Sequence, residues 1–288
     1  MKPQYGFTLL ELAIVLVIVT ILIGGLAVPL SAQIQARRIA ETQKTLAEAR
    51  EAIIGYAMSH TVAGSCTCSY KADTTLDPVA SGCSPSLCPA TGTAALTLPI
   101  TRHYLPCPDL SDTDPEPNQD NDGVEGLTDL NNGVEDRLHA SPSCAKSYGN
   151  LPWVTLGTAA QDAWGNRLHY SLTAAYGDSS TGFSITSTGN NQVCTTSAGG
   201  CSTGTLASNV PAVLVSYGPN GWGGRNVNGS KLAAPTSADE LENTNAGPNF
   251  VSRTPTNANS TSGEFDDLVV WISDGLLRGR VCPAGGCP

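Results

Sequence analysis

The sequence predicts an α+β protein: one long N-terminal helix, membrane-spanning in its first half, packed on an antiparallel β-sheet domain with long disulfide-stapled loops. Three observations carry this expectation. Between Phe7 and Leu30 the only charged side chain is Glu11. Residues 31–60 turn amphipathic. The remainder is rich in Ser, Thr, Asn and Gly, holds every cysteine, and breaks into short apolar runs punctuated by turn residues.

The first element is the apolar run. Its 24 residues would extend about 36 Å as a helix, enough for a hydrocarbon core of about 30 Å. Lys2 precedes it, which favours a cytoplasmic N-terminus, although Arg37 and Arg38 follow it and weaken that signal. A secretory signal would place its apolar stretch before a small-residue cleavage site. Here a short polar leader, residues 1–6, comes first and ends in Gly6. Ala27-Val28-Pro29 imitates a cleavage site, but the run before it is long for such a signal. An uncleaved anchor is the plainer alternative.

Glu11 discriminates between these readings. A carboxylate within a membrane helix costs about 2.5–3.5 kcal/mol or more and calls for a partner. Cleavage after Gly6 would give Phe7 a new α-ammonium one helical turn from Glu11. Burying that pair would favour axial register more than raw stability.

Gly6-Phe7-Thr8-Leu9-Leu10-Glu11, followed by about twenty apolar residues, resembles the leader and N-terminal helix of type IV pilins and type II secretion pseudopilins. The resemblance implies that a prepilin peptidase cuts between Gly6 and Phe7 and methylates the Phe7 amine, and that Glu11 serves filament assembly. It also implies that Gly24, Gly25 and Pro29 mark a stretch able to bend when subunits leave the bilayer, a mild kink with no such role being the alternative. By the same resemblance the fold is pilin-like. The partners are other pilins or pseudopilins and, indirectly, an assembly ATPase and an inner-membrane platform protein. The chain would sit as a single pass in a bacterial inner membrane, with residues 61–288 exported to the periplasm before filament assembly.

In residues 31–60, Ile34, Ile39, Leu46, Ile53 and Tyr56 mark an apolar stripe, so one helix is expected from about Thr8 to Ser59 with its second half on the exported domain. Residues 61–100 form a low-complexity interval around Cys66, Cys68, Cys83 and Cys88. Pairing Cys66 directly with Cys68 would close a strained loop, so both should cross to Cys83 and Cys88, with the connectivity open. Cys107–Cys144, Cys194–Cys201 and Cys282–Cys287 are further candidate pairs. An even count of ten in a Ser/Thr-rich chain favours disulfides in an oxidising compartment over zinc or free thiols.

Asp162-x-Trp164-Gly165-Asn166-x-x-x-Tyr170 resembles a signature of major pseudopilins. It reads as a turn opening a strand at 167–172, with Trp164 as a core anchor. Further strands are expected at 183–187, 212–217 and 268–273, the last two central in the sheet because they are nearly continuous apolar runs. Residues 218–263 are expected to form an elaborated surface loop.

The candidate chemistry is sparse. Asn118, Asp120 and Asp122 match the first half of an EF-like calcium loop, Asp129 falls where such a loop places its last carboxylate, and the resemblance adds that some pseudopilins bind calcium in their C-terminal domain. A solvated acidic turn is the alternative reading. Glu264, Asp266 and Asp267 form a second carboxylate group, read as a strand-end turn. His60, His103, His139 and His169 are scattered, and no catalytic motif is present, so no enzymatic activity is expected. A net charge of −10 gives nucleic-acid binding no support. The expected function is structural: a pilus or pseudopilus subunit, minor or specialised given its size. A major pilin and a surface adhesin on a pilin-type anchor are the alternatives.

Overall fold

The computed structural model describes residues 8–110, 131–137, 141–282 and 287; within the N-terminal helix, the side chains of 22–30 also lie outside the description. The expected calcium-loop residues Asn118, Asp120, Asp122 and Asp129, and the leader junction Gly6–Phe7, fall outside the described residues.

Helix α1 runs Leu9–Ser59, 51 residues, and continues through Gly24, Gly25 and Pro29 without a break. At about 1.5 Å per residue it is about 75 Å long. Only its last third packs on the domain. Thr42, Leu46, Ala49, Ile53, Ile54, Tyr56 and Ala57 are buried, a spacing of three and four that keeps one face inward. The expected stripe therefore holds from Leu46 onward. Ile34 is exposed and Ile39 half-buried: although the Trp164 indole reaches Gln35, close packing of the domain on the helix ends at about Thr42. There Thr42 Oγ1 accepts from the Ala163 amide at 3.1 Å.

The β structure divides into three sheets rather than one. Strands β1 (Thr61–Cys68) and β2 (Leu96–His103) pair antiparallel. The second sheet, ordered β3-β4-β7-β9, joins Tyr148–Asn150, His169–Leu172, Ala212–Ser216 and Leu268–Ile272, all antiparallel. The third, β6-β5-β8, uses Thr205–Val210, Asn191–Cys194 and Asn249–Val251; its β5–β8 pair is parallel. Strand β7 is central, as its continuous apolar run demands. Strand β9 lies at an edge, contrary to expectation. Its run is apolar because both faces are covered: Leu268, Val270 and Ile272 pack in the core against α1, whereas Val269 and Trp271 pack with Val193, Val213 and Phe250. The expected strand at 183–187 is absent; Phe183 makes an isolated bridge to His103 and the chain then turns.

The interval 61–100 is not irregular. Its ends form the β1–β2 hairpin, whose long connection is held by Cys66–Cys83 and Cys68–Cys88. Residues 218–263 likewise contain β8 and helix α4, Ala238–Thr244. The Cys107–Cys144, Cys194–Cys201 and Cys282–Cys287 pairs form as expected. Short helices α2 (Trp153–Leu156) and α3 (Ala174–Gly177) link strands, and α5 (Asp274–Val281) packs Leu277 and Val281 beside α1.

Candidate functional site

The tryptophan-glycine turn comes first because it sets the neighbouring elements. Asp162 is buried, and its Oδ1 accepts from the Trp164 and Asn166 amides at 2.9 Å each. Its Oδ2 accepts from Ser216 Oγ on β7 at 2.7 Å. Burial raises its pKa against the opposing pull of these bonds. Gly165 sits at φ +89°, a conformation that L side chains avoid, so the glycine is required. Trp164 is half-buried and donates to Gln35 Oε1 of α1 at 3.4 Å; it braces the stalk and is not the core anchor expected. Tyr170, fully buried, takes that place with its hydroxyl on Pro106 O at 3.1 Å.

A second cluster joins α4 to the start of β9. Carboxylate oxygens of Glu240, Asp266 and Asp267 lie within 4.8 Å of one another. Glu240 and Asp267 are 1% and 4% exposed. Ser237 caps α4 through the Glu240 amide, and Asp239 is held by Arg253 at 2.7 Å, which fixes the helix. Asn243, one turn along, donates to Asp267 Oδ2 at 2.8 Å, and the Asp266 amide donates to Glu240 Oε1 at 3.0 Å. Glu240 Oε2 and Asp266 Oδ1 are buried and make no well-formed hydrogen bond among the described residues, although, against the larger effect of burial, the Asn220 side chain and backbone lower the pKa of Glu240 and Asp266 in turn. Among the described residues no ion pair reaches the three acids; Arg253 is bonded to Asp239 and acts on Glu240 only as a through-space attraction. Burial and mutual repulsion push Asp266 up to about 7, Asp267 well above the carboxylate range, and Glu240 upward. The sequence named Asp266 and Asp267 but read them as a turn and grouped them with Glu264. Glu240 gave no signal, because it lies 26 residues upstream on a helix that was not expected.

Three hard oxygen donors converging at this distance suit a divalent cation. Calcium–oxygen distances of about 2.3–2.6 Å put ligand atoms at opposite sides of one ion about 5 Å apart. The other described metal-like group, Cys68, Cys83 and Cys88, is consumed by disulfides and is not a zinc site.

At the head of α1, Thr8 is the N-cap and Glu11 completes a capping box. Thr8 Oγ1 accepts from the Glu11 amide at 3.3 Å, and Glu11 Oε2 accepts from the Thr8 amide at 2.9 Å. From Leu9 to Ile21 every residue is exposed, and the surface is apolar apart from Glu11 and Thr20. A prokaryotic N-terminal methylation motif matches residues 1–27, the leader signature of type IV pilins and pseudopilins.

The chain carries a type IV pilin-type leader.

A leader of this type implies processing by prepilin peptidase and assembly with other pilins. It fits a membrane-anchored pilin precursor. The match covers 27 of 288 residues, and no curated protein or solved structure matches the chain. Among the described residues no helix is long and apolar enough to cross a membrane; part of the expected span, residues 22–30, lies outside them.

Proposed function

We propose that the chain is a structural subunit of a type IV pilus or type II secretion pseudopilus, cut by prepilin peptidase after Gly6 and methylated on Phe7. The supporting observation is the methylation motif lying on a helix whose residues 9–21 are exposed and apolar. An apolar surface of this extent calls for lipid or partner helices. The subunit is held in the inner membrane before assembly, its exported domain on the periplasmic side. Its 228 residues beyond position 60 and five disulfides suit a minor or specialised subunit better than a main repeating one. The role is structural and needs no enzymatic activity of its own. Glu11, capped on Thr8 within the single subunit, would exchange that partner for the α-ammonium of its own or a neighbouring chain in the filament.

Mass spectrometry of the mature protein tests this reading. The expected N-terminus is methylated Phe7; an intact Met1 in the membrane-extracted protein would refute processing. Glu11→Ala should leave membrane insertion intact and lower recovery in sheared filaments; undiminished recovery would remove the assembly role.

The buried acids favour a further element of this reading. The exported domain binds a calcium-like cation through Glu240, Asp266 and Asp267, which neutralises charge that Arg253, Asn220 and Asn243 offset only in part. This is a different set from the acidic loop expected from the sequence.

A further inference from the structure

Beside the second sheet lies a cavity of about 250 Å³, whose lining includes Tyr148, Asn150, Arg167, Tyr217, Arg225 and Lys231. Lys146 and His169 also line it, and among the described residues no acidic one does. That is a notable concentration in a chain with 15 Lys and Arg in total and a net charge of −10.

The fold brings the three central cations together through its backbone. The Arg167 amide donates to Arg225 O at 2.8 Å, which couples the end of the tryptophan-glycine turn to a small hairpin. In that hairpin Arg225 bridges Lys231 across the Asn226–Ser230 turn. The Arg167 guanidinium stacks on Trp153 at 3.9 Å and donates only to neutral acceptors: Asn131 Oδ1, Ala160 O and Val227 O. Arg225 donates to Gly229 O at 2.9 Å. Among the described residues no carboxylate pairs with Arg167, Arg225 or Lys231. The acid electrostatically coupled to Arg167, Asp109, is fully buried, bonded to Asn150, and outside the lining. Lys146 makes contacts of its own and is not counted.

Three like charges converging on one concavity repel each other, and field lines concentrate in such a cleft. A bound anion removes the repulsion, and guanidinium groups grip planar oxyanions with two hydrogen bonds. We infer that this cavity is a binding site for a small ligand bearing a carboxylate or phosphate, with Arg167 at its base and Arg225 and Lys231 at its rim. The cavity is smaller than the roughly 300–1,000 Å³ of drug-sized ligand sites, so the ligand is no larger than about an acidic monosaccharide. Tyr148 supplies the aromatic face that such a ring would use, and Asn150, whose amide hydrogens go to Asp109 and Asn131, offers its carbonyl to a ring hydroxyl. The inference does not depend on the filament reading.

Calorimetric titration of the detergent-solubilised full chain tests it, with inorganic phosphate, galacturonate and N-acetylneuraminate as probes. At least one should bind saturably, and more weakly as salt rises. Phosphate alone binding would define a simple oxyanion site; a sugar acid binding more tightly would show that the ring is read. Arg225→Gln with Lys231→Gln should weaken binding about tenfold or more at an unchanged melting temperature, whereas Lys71→Gln, far from the cavity, should not. Should the double variant melt early, Lys231→Gln alone, an exposed position, gives the same comparison. No binding of any probe up to about 10 mM, or equal binding by the rim variants, overturns the inference.

Discussion

The acid cluster of Glu240, Asp266 and Asp267 makes a pH prediction whose sign can be worked out. Without a cation, Asp266 titrates at about 7 in the folded chain, against about 3.9 for an ordinary Asp in the unfolded one. Between those values the folded state binds more protons, so stability falls as pH rises from about 4 and levels off above about 7. At about 1.4 kcal/mol per pH unit the ceiling is about 4 kcal/mol; Asp266 is only half-buried, and solvent screening brings this to about 2 kcal/mol. For a domain of this size that corresponds to a melting temperature lower by about 4–8 °C. Other acids, such as Asp73 and Asp178, shift the opposite way and would mask it. The assay is therefore a difference measurement: thermal melts of the wild type and of Asp266→Asn, each in chelator, from pH 4 to pH 8. The wild type should lose about 2 kcal/mol more than the variant. Calcium at about a hundred times its dissociation constant should return about 2.7 kcal/mol to the wild type at pH 8 and far less to Asp266→Asn. Parallel pH curves in chelator, or no calcium-dependent rise in the wild type, would refute the reasoning.

Three further perturbations test the frame around this cluster. Asp162→Ala leaves the Trp164 and Asn166 amides and the Ser216 hydroxyl without their acceptor and should cost about 2–4 kcal/mol, read as a lower denaturant midpoint at an unchanged slope. Ile53→Ala opens a cavity at a fully buried position between α1 and the sheet and should cost about 2–5 kcal/mol in the same assay; a change under about 0.5 kcal/mol would mean that α1 does not dock there. Replacing Cys107 and Cys144 together by Ser opens a loop of 37 residues and should cost about 2–5 kcal/mol, checked by melts with and without reductant, the reductant-sensitive loss being smaller in the variant.

Much of this was legible where the physics is local. The helix start near Thr8, its end at Ser59 and the apolar strands β7 and β9 follow from patterning within one segment. So does the Asp162–Asn166 turn, whose glycine and carboxylate answer a local backbone demand. What was not legible depends on partners distant in sequence. Strands β5, β6 and β8 are short and mixed in polarity, and their sheet is completed only by the β5–β8 pairing across 57 residues. Strand β1 alternates only weakly, being small and polar apart from Val62 and its two cysteines. Trp164 looked like a core residue by type; only the approach of α1 gives its indole a neighbour in Gln35. The acid cluster was half-seen for the same reason, since Glu240 joins Asp266 only once α4 folds back.

The disulfides of the exported domain have a mechanical side. A subunit in a filament carries tension along α1, and a domain that gives way under load lengthens by the chain it releases. A crosslink withholds its enclosed residues from that release. At about 3.3–3.6 Å per residue, the Cys107–Cys144 bond alone keeps back about 120–130 Å of chain. The interlocked pairs Cys66–Cys83 and Cys68–Cys88 do the same for the segment next to the helix end, where a pull along α1 arrives first. In the filament proposed above, such a domain could be strained, even partly opened, and still remain a short, recoverable link under load.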